Sequence, residues 1–130
     1  MDICCERRCE MDKLTNTFKV LSDDTRLRIL MLLYMQDLCV CQICGILNIS
    51  QPSVSKNLAK LRDMNIVIDK RKEKFIEYSI VRDNHDNIFL MSILTQLQDN
   101  FEKYPILLND NHKIMDKDHF LNLCDNKVTN

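Results

Sequence analysis

Apolar positions recur along most of the chain at helical spacing. Leu14, Phe18 and Leu21 stand at i, i+4 and i+7 and predict a short first helix. Ser22-Asp23-Asp24 supplies cap chemistry for a second helix, about Thr25 to Tyr34, with Leu27, Leu30 and Leu33 turned inward. A third short helix follows over about Val40 to Leu47, then a tight turn at Asn48-Ile49 and a fourth helix capped by Ser50. Pro52 is tolerated in the first turn of that helix, where amides have no intrahelical acceptor. Val54, Leu58 and Leu61 make one apolar stripe on the fourth helix, and Ser53, Lys56 and Lys60 fall opposite it.

Beyond Asn65 the pattern changes. Ile66-Val67-Ile68 and Phe75-Ile76-Glu77-Tyr78-Ser79-Ile80 flank the charged run Asp69 to Lys74, which reads as a β-hairpin. The turn lacks glycine, so a loop longer than two residues is expected. A fifth helix, about Asp86 to Lys103, carries apolar residues on more than one stripe, from Ile88 and Phe89 to Leu97 and Phe101. One face can seat on the chain's own core while another meets a second helix, making this a dimer helix; full burial in a monomer is the alternative. Pro105 ends or kinks it. The polar remainder has a weak apolar patch at Phe120, Leu121 and Leu123, expected as a loose tail or short appended helix.

Composition narrows the class. The chain has 130 residues, 45% of them hydrophobic, with one glycine, two prolines and no tryptophan. That suits one helix-rich domain with short tails and argues against collagen-like, low-complexity and glycine-loop nucleotide-binding chains. Net charge is -1, so no overall basic field announces nucleic acid. Between Ser50 and Ile80, however, seven cations face four anions, a local +3.

Two short helices joined by a brief turn, the second basic and polar on its outer side, form a helix-turn-helix, and the hairpin is its wing. The expected fold is therefore mainly α with a small β-hairpin wing, a winged helix-turn-helix ordered α-α-α-α-β-β-α. Residues 1–10 form a cysteine-containing tail, 11–108 the DNA-binding and dimerisation domain, and 109–130 a C-terminal tail. Docked on operator double-stranded DNA, the start of the fourth helix places Gln51, Ser53, Ser55 and Lys56 toward base edges, and Asn57 joins them as a DNA-binding residue. Lys60 and the wing cations Arg71, Lys72 and Lys74 then lie along phosphates. An ordinary solvated surface is the competing reading.

The opening MDICCERRCE carries both charge signs and no apolar core, unlike a secretory leader. The longest uncharged run, Leu38 to Ser55, is interrupted by Gln42, Asn48, Gln51 and Pro52 and makes a poor membrane span. A cytoplasmic location with no membrane partner follows as the expectation, with the seven cysteines reduced. Their clustering then points to metal binding or redox chemistry.

Cys39, Cys41 and Cys44 form C-x-C-x-x-C at the head of the third helix, with Cys41 and Cys44 on one face. A helix N-terminus lowers thiol pKa and favours the thiolate. Three soft sulfurs without histidine or carboxylate select a soft ion. Arsenic(III), or antimony(III), suits a three-sulfur pyramid, whereas zinc wants a fourth ligand. On a continuous helix, Cys39 and Cys41 lie about 200° apart. Closing the trio would then unwind the turn that positions the DNA reader, unless Cys39 already lies in a preformed loop. The competing reading treats the three as small core hydrophobes. Either Cys5 and Cys9 complete a four-sulfur site with Cys39 and Cys41, or Cys4, Cys5 and Cys9 act as scavenging thiols; Cys124 is isolated.

The stretch LSDDTRLRILMLLYMQDLCVCQICGILNISQPSVSKNLAKLRDMNIVIDKRKEKFIEYSI resembles the ArsR/SmtB family of metal-responsive winged-helix repressors. Within it, DLCVCQIC followed by SQPSVSKNLAKLR resembles the arsenic-responsive branch. The resemblance covers Phe18 to Ile80. It implies a homodimer, formed through the first and last helices, that represses a resistance operon and dissociates on binding arsenite or antimonite at Cys39, Cys41 and Cys44. Asn57 stands where many members carry histidine, and Lys72-Glu73-Lys74 where a wing glycine is common. Cys5 and Cys9 with Cys39 and Cys41 also resemble the cadmium- and lead-sensing branch. The zinc pattern of the family's last helix is half present: Asp83 and His85 are there, but Gln96 replaces a histidine before Asp99. The alternatives to an arsenic sensor are a cadmium/lead sensor, a redox regulator pairing Cys39 with Cys41, and an arsenate reductase, which Gly45 alone does not equip with an anion-cradling loop.

Overall fold

The computed structural model describes residues 2–121, with side chains from Glu10 onward. Helix α1 (Asp2–Leu21) leads into α2 (Asp24–Met35), a two-residue strand β1 (Leu38–Cys39), α3 (Val40–Leu47) and α4 (Gln51–Asp63). Strands β2 (Val67–Lys72) and β3 (Phe75–Ile80) form the hairpin, and α5 (Ile88–Asp99) and α6 (Pro105–Lys113) close the chain, with single 3-10 turns between and after them.

Local chemistry explains most boundaries. Asp23 caps α2 by accepting the Arg26 N–H at 2.9 Å, and Ser50 caps α4 by accepting the Ser53 N–H at 3.4 Å. Helix α3 ends on Asn48 in the left-handed region (φ 56°), a geometry asparagine tolerates better than most residues. The N–H groups of Asn48 and Ile49 both close on the Cys44 carbonyl. Asn65, at φ 60°, makes the turn from α4 toward β2. Buried Asn87 holds that turn, donating from Nδ2 to the carbonyls of Asn65 at 3.1 Å and Val81 at 3.3 Å.

One core gathers the helices. Ile29, Leu30 and Leu33 of α2, Ile43 and Ile46 of α3, Val54, Leu58 and Leu61 of α4, and Leu94 of α5 have no measurable exposure. Arg28 of α2 reaches the nearly buried Asp110 of α6 through two bonds, Nε at 2.8 Å and Nη2 at 2.9 Å. The carboxylate hydrogen bond is the main reason the guanidinium is held above its ordinary pKa, and burial opposes it. At the other end, Tyr34 Oη and Thr95 Oγ1 meet at 2.6 Å, and the Arg82 guanidinium lies 4.9 Å above the Tyr34 ring.

The sheet has three antiparallel strands in the order β1-β3-β2. Leu38 pairs with Tyr78 and Cys39 with Glu77 on one edge of β3, while β2 runs from Val67 opposite Ile80 to Lys72 opposite Phe75 on the other. Several sequence expectations change here. Helix α1 begins at Asp2, so the backbone of Cys4, Cys5 and Cys9 is helical. Strand β1 was not foreseen. The wing turn is only Glu73-Lys74, with Glu73 taking the positive φ (32°) that a glycine would favour. The fifth helix stops at Asp99, and Pro105 opens a separate helix at its first position, where its missing N–H costs no hydrogen bond. No described helix is long and apolar enough to cross a membrane.

Candidate nucleic-acid interface and thiol site

Helix α4 sits on the core through Val54, Leu58 and Leu61, which leaves its other side to solvent. Gln51, Ser55, Lys56 and Lys60 are exposed there, and Ser53 and Asn57 are half-buried. Asn57 spends its Nδ2 on the Ser53 carbonyl at 2.9 Å, one turn back within the helix. Its side-chain oxygen and second N–H keep their capacity for other contacts. Arg71, Lys72 and Lys74 are exposed at the wing tip. The Arg62–Asp69 pair, at 3.3 Å and exposed on both sides, joins the end of α4 to β2. The sequence-derived interface thus divides between the start of one helix and the tip of one hairpin, a layout that suits a groove with phosphates on either side.

Helix α3 packs directly on α4 and starts at the cysteines. Cys39 is not on the helix. It is the N-cap of α3, in extended conformation (φ -92°, ψ 168°), and the last residue of β1. Its N–H donates to Gln42 Oε1 at 2.9 Å, and the Gln42 N–H faces its sulfur, so a capping box is built on a thiol. The reading of Cys39 and Cys41 as opposite faces of one continuous helix is therefore corrected: the turn of backbone between them already exists.

The expectation of a helix-lowered thiol pKa also fails at Cys39. Burial is the largest influence and pushes this thiol up; N–H groups of Gln42, Cys41 and Cys39 itself pull it back, and the Glu77 carboxylate across the strand pushes it up again. Cys39 is a free, buried thiol, so the pairing of Cys39 with Cys41 is not formed. Cys41 is nonetheless disulfide-bonded, against the expectation that all seven thiols are reduced. Cys41 and Cys44 are half-buried on α3. Among the described residues no three His, Cys, Asp or Glu side chains stand together as a ready metal site. The donor chemistry is that of a soft ion, but the trio is not preassembled. The side chains of Cys4, Cys5 and Cys9, and all of Cys124, lie outside what the structure describes.

Sequence reasoning missed Gln42 and Glu77 as neighbours of Cys39. Gln42 was accessible: glutamine at N3 is a capping-box signature, obscured because the cap is cysteine rather than serine. Glu77 depends on the β1–β3 register, and a two-residue strand leaves no periodic trace.

A helix-turn-helix with a hairpin wing defines the class: the fold is a winged helix-turn-helix. Residues 23–69 match the bacterial regulatory protein, arsR family. The chain is 42% identical over 64 residues to the arsenical resistance operon repressor of Escherichia coli (strain K12), covering 48% of this chain and 55% of that one. It is 42% identical over 67 residues to the transcriptional repressor SdpR of Bacillus subtilis (strain 168), covering 52% and 74%. Among solved structures, the AntR antimony-specific transcriptional repressor superposes with a TM-score of 0.57 at 29% identity, over 72% of this chain and 83% of that one. The chain belongs to the ArsR family. It spans about half the length of the arsenic-resistance regulators it matches.

Proposed function

We propose that this chain is a DNA-binding transcriptional repressor of an arsenic-resistance operon, released from its operator when arsenic(III) or antimony(III) is captured by Cys39, Cys41 and Cys44. The observation that carries this reading is the position of Cys39, which is at once the cap of α3 and the partner of Glu77 on β3. Drawing its sulfur toward Cys41 and Cys44 takes it away from the Gln42 N–H it faces and pulls on the β1–β3 pairing. The first steadies the helix beneath the DNA reader, and the second ties that helix to the wing. Capture therefore opposes the DNA-ready arrangement at both of its contact elements. A coupling of about 1–3 kcal/mol, or roughly 5- to 150-fold in operator affinity, is ordinary for such linkage. Arsenous acid condenses with thiols, each new sulfur bond replacing a hydroxyl that leaves with the thiol proton as water. Capture requires Cys41 to be reduced first.

A homodimer through α1 and α5 fits the same reading. Phe18 of α1 and Phe89 of α5 meet edge-to-face at 5.7 Å while both remain about half exposed, and Met11, Leu14 and Ile88 are exposed too. A second copy covering this patch would let two α4 helices read half-sites about 34–36 Å apart.

The test is an operator shift assay with arsenite, antimonite and cadmium, on reduced protein and on the Cys39→Ser, Cys41→Ser and Cys44→Ser variants. Each variant should still bind operator and lose its release by arsenite. Release by cadmium that depends on Cys5 or Cys9 and not on Cys44 would transfer the role to the amino-terminal thiols. The Cys41 disulfide favours a second reading, in which oxidation itself changes operator affinity. A peroxide arm measures it: peroxide must weaken operator binding in the wild-type chain and not in Cys41→Ser.

A further inference from the structure

The chain beyond α5 lies outside the segment matched by the family, yet it does not hang free. Leu107 and Ile114 enter the core, and Asp110 is clamped by Arg28. Lys113 Nζ reaches the Ile46 carbonyl at 3.5 Å, near the end of α3, where carbonyls lack helical partners. Phe120, half-buried, packs against the core. Its ring rests on Gly45, the one glycine of the chain: a Cβ there would stand 2.1 Å from Phe120 Cδ1 and 2.3 Å from Cγ. A glycine in mid-helix weakens the helix. Here it makes the notch that admits an aromatic ring.

The location of that notch carries the argument. Cys41, Cys44 and Gly45 stand at i, i+3 and i+4, so they share one face of α3. The ring that fills the notch therefore lies on the cysteine face, while Ile43 and Ile46 point into the core.

We propose that the segment from Pro105 to Leu121 is a strap latched over the cysteine face of α3 by Phe120, and that its opening controls entry of a thiol-seeking ion to Cys41 and Cys44. The ion's role rests on the reading under Proposed function; the strap itself does not. Asp110 and Ile114 fix the near end, so opening peels the far end, Lys117 to Leu121, away from Gly45. Any movement of α3 that changes the notch also changes the fit of Phe120, so the strap reports on the same helix that it covers.

The experiment uses the full chain under reductant, without ion, given a short pulse of iodoacetamide. Alkylation at Cys39 and Cys44 is located by fragmentation mass spectrometry. Phe120→Ala removes the latch, and Gly45→Ala drives the ring out of its notch; a thermal melt by circular dichroism checks that each folds. Both should raise the Cys44 rate by about tenfold, the scale of a local opening no longer opposed by a packed ring, and leave Cys39 unchanged. Wild-type rates at Cys44, or equal gains at Cys39 and Cys44, overturn the strap. If Gly45→Ala does not fold, Phe120→Ala alone decides. Stopped-flow arsenite uptake then measures entry, which should be faster in Phe120→Ala; an unchanged rate overturns control of entry. Should wild-type protein take up no arsenite at all, the inducer reading and control of ion entry fail together, while the alkylation rates still judge the latch.

Discussion

Asp110→Ala probes whether the chain after α5 is integral to the domain. The carboxylate is 2% exposed and accepts both bonds of a bidentate pair, while Arg28 keeps 25% of its side-chain surface. Removing one partner of a buried pair costs about 3–5 kcal/mol, because the other charge is left uncompensated. Arg28 retains a path to water, which places the expected loss at the lower end, about 3 kcal/mol. Unfolding entropy near 2.1 cal/mol/K per residue gives roughly 0.27 kcal/mol/K for a chain of this size, so the melting temperature should fall by about 11 °C. Asp110→Asn keeps the shape and one acceptor and should fall between the two. The pH dependence has a definite sign. A cation whose pKa is raised on folding adds stability that is lost only as pH climbs through the folded value. The Asp110 hydrogen bond shifts Arg28 upward from an ordinary value that is already strongly basic, so the pair should hold to the alkaline limit of the fold. Calorimetry at fixed protein concentration makes the measurement. A fall under about 3 °C would refute the reasoning and leave α6 an ornament on a domain that ends at α5.

Three further outcomes follow from the described geometry. Leu58→Ala, at a site with no exposure between α4 and the core, should cost about 2–5 kcal/mol in urea unfolding, and a loss below 1 would mean the site is not packed. Glu73→Gly should stabilise the wing by roughly 0.5–1 kcal/mol because the two-residue turn needs a positive φ there; a destabilised variant would contradict the strain assigned to Glu73. In anisotropy titrations, Lys72→Ala should weaken binding to all DNA sequences alike and lower the salt slope by about 0.9, whereas Gln51→Ala should erode discrimination between operator and random DNA. Equal behaviour of the two variants would argue against the division between helix and wing.

Much of the fold was legible because it is written in spacing. The α4 stripe of Val54, Leu58 and Leu61, the caps at Asp23 and Ser50, and the hairpin all follow from residues a few positions apart. What stayed hidden depends on distant contacts. Strand β1 is two residues long and exists only because β3 offers an edge to Leu38 and Cys39. The burial that raises the Cys39 thiol comes from the same placement, so a rule about helix starts gave the wrong sign. The Glu73 turn contradicted a turn rule because tertiary pairing of six-residue strands outweighs the strain of one residue. The Phe120 contact needed a partner 75 positions away, and no local pattern announces it.

Strand β3 is bonded along both edges, to β2 on one side and to β1 on the other. A hairpin with a bare edge can twist and flap on its own; this one is riveted at Leu38 and Cys39 to the start of α3, the floor beneath α4. Tip and floor should travel as a single lever, so that a sub-ångström tug at Cys39 is magnified toward Arg71 and Lys74 rather than absorbed on the way.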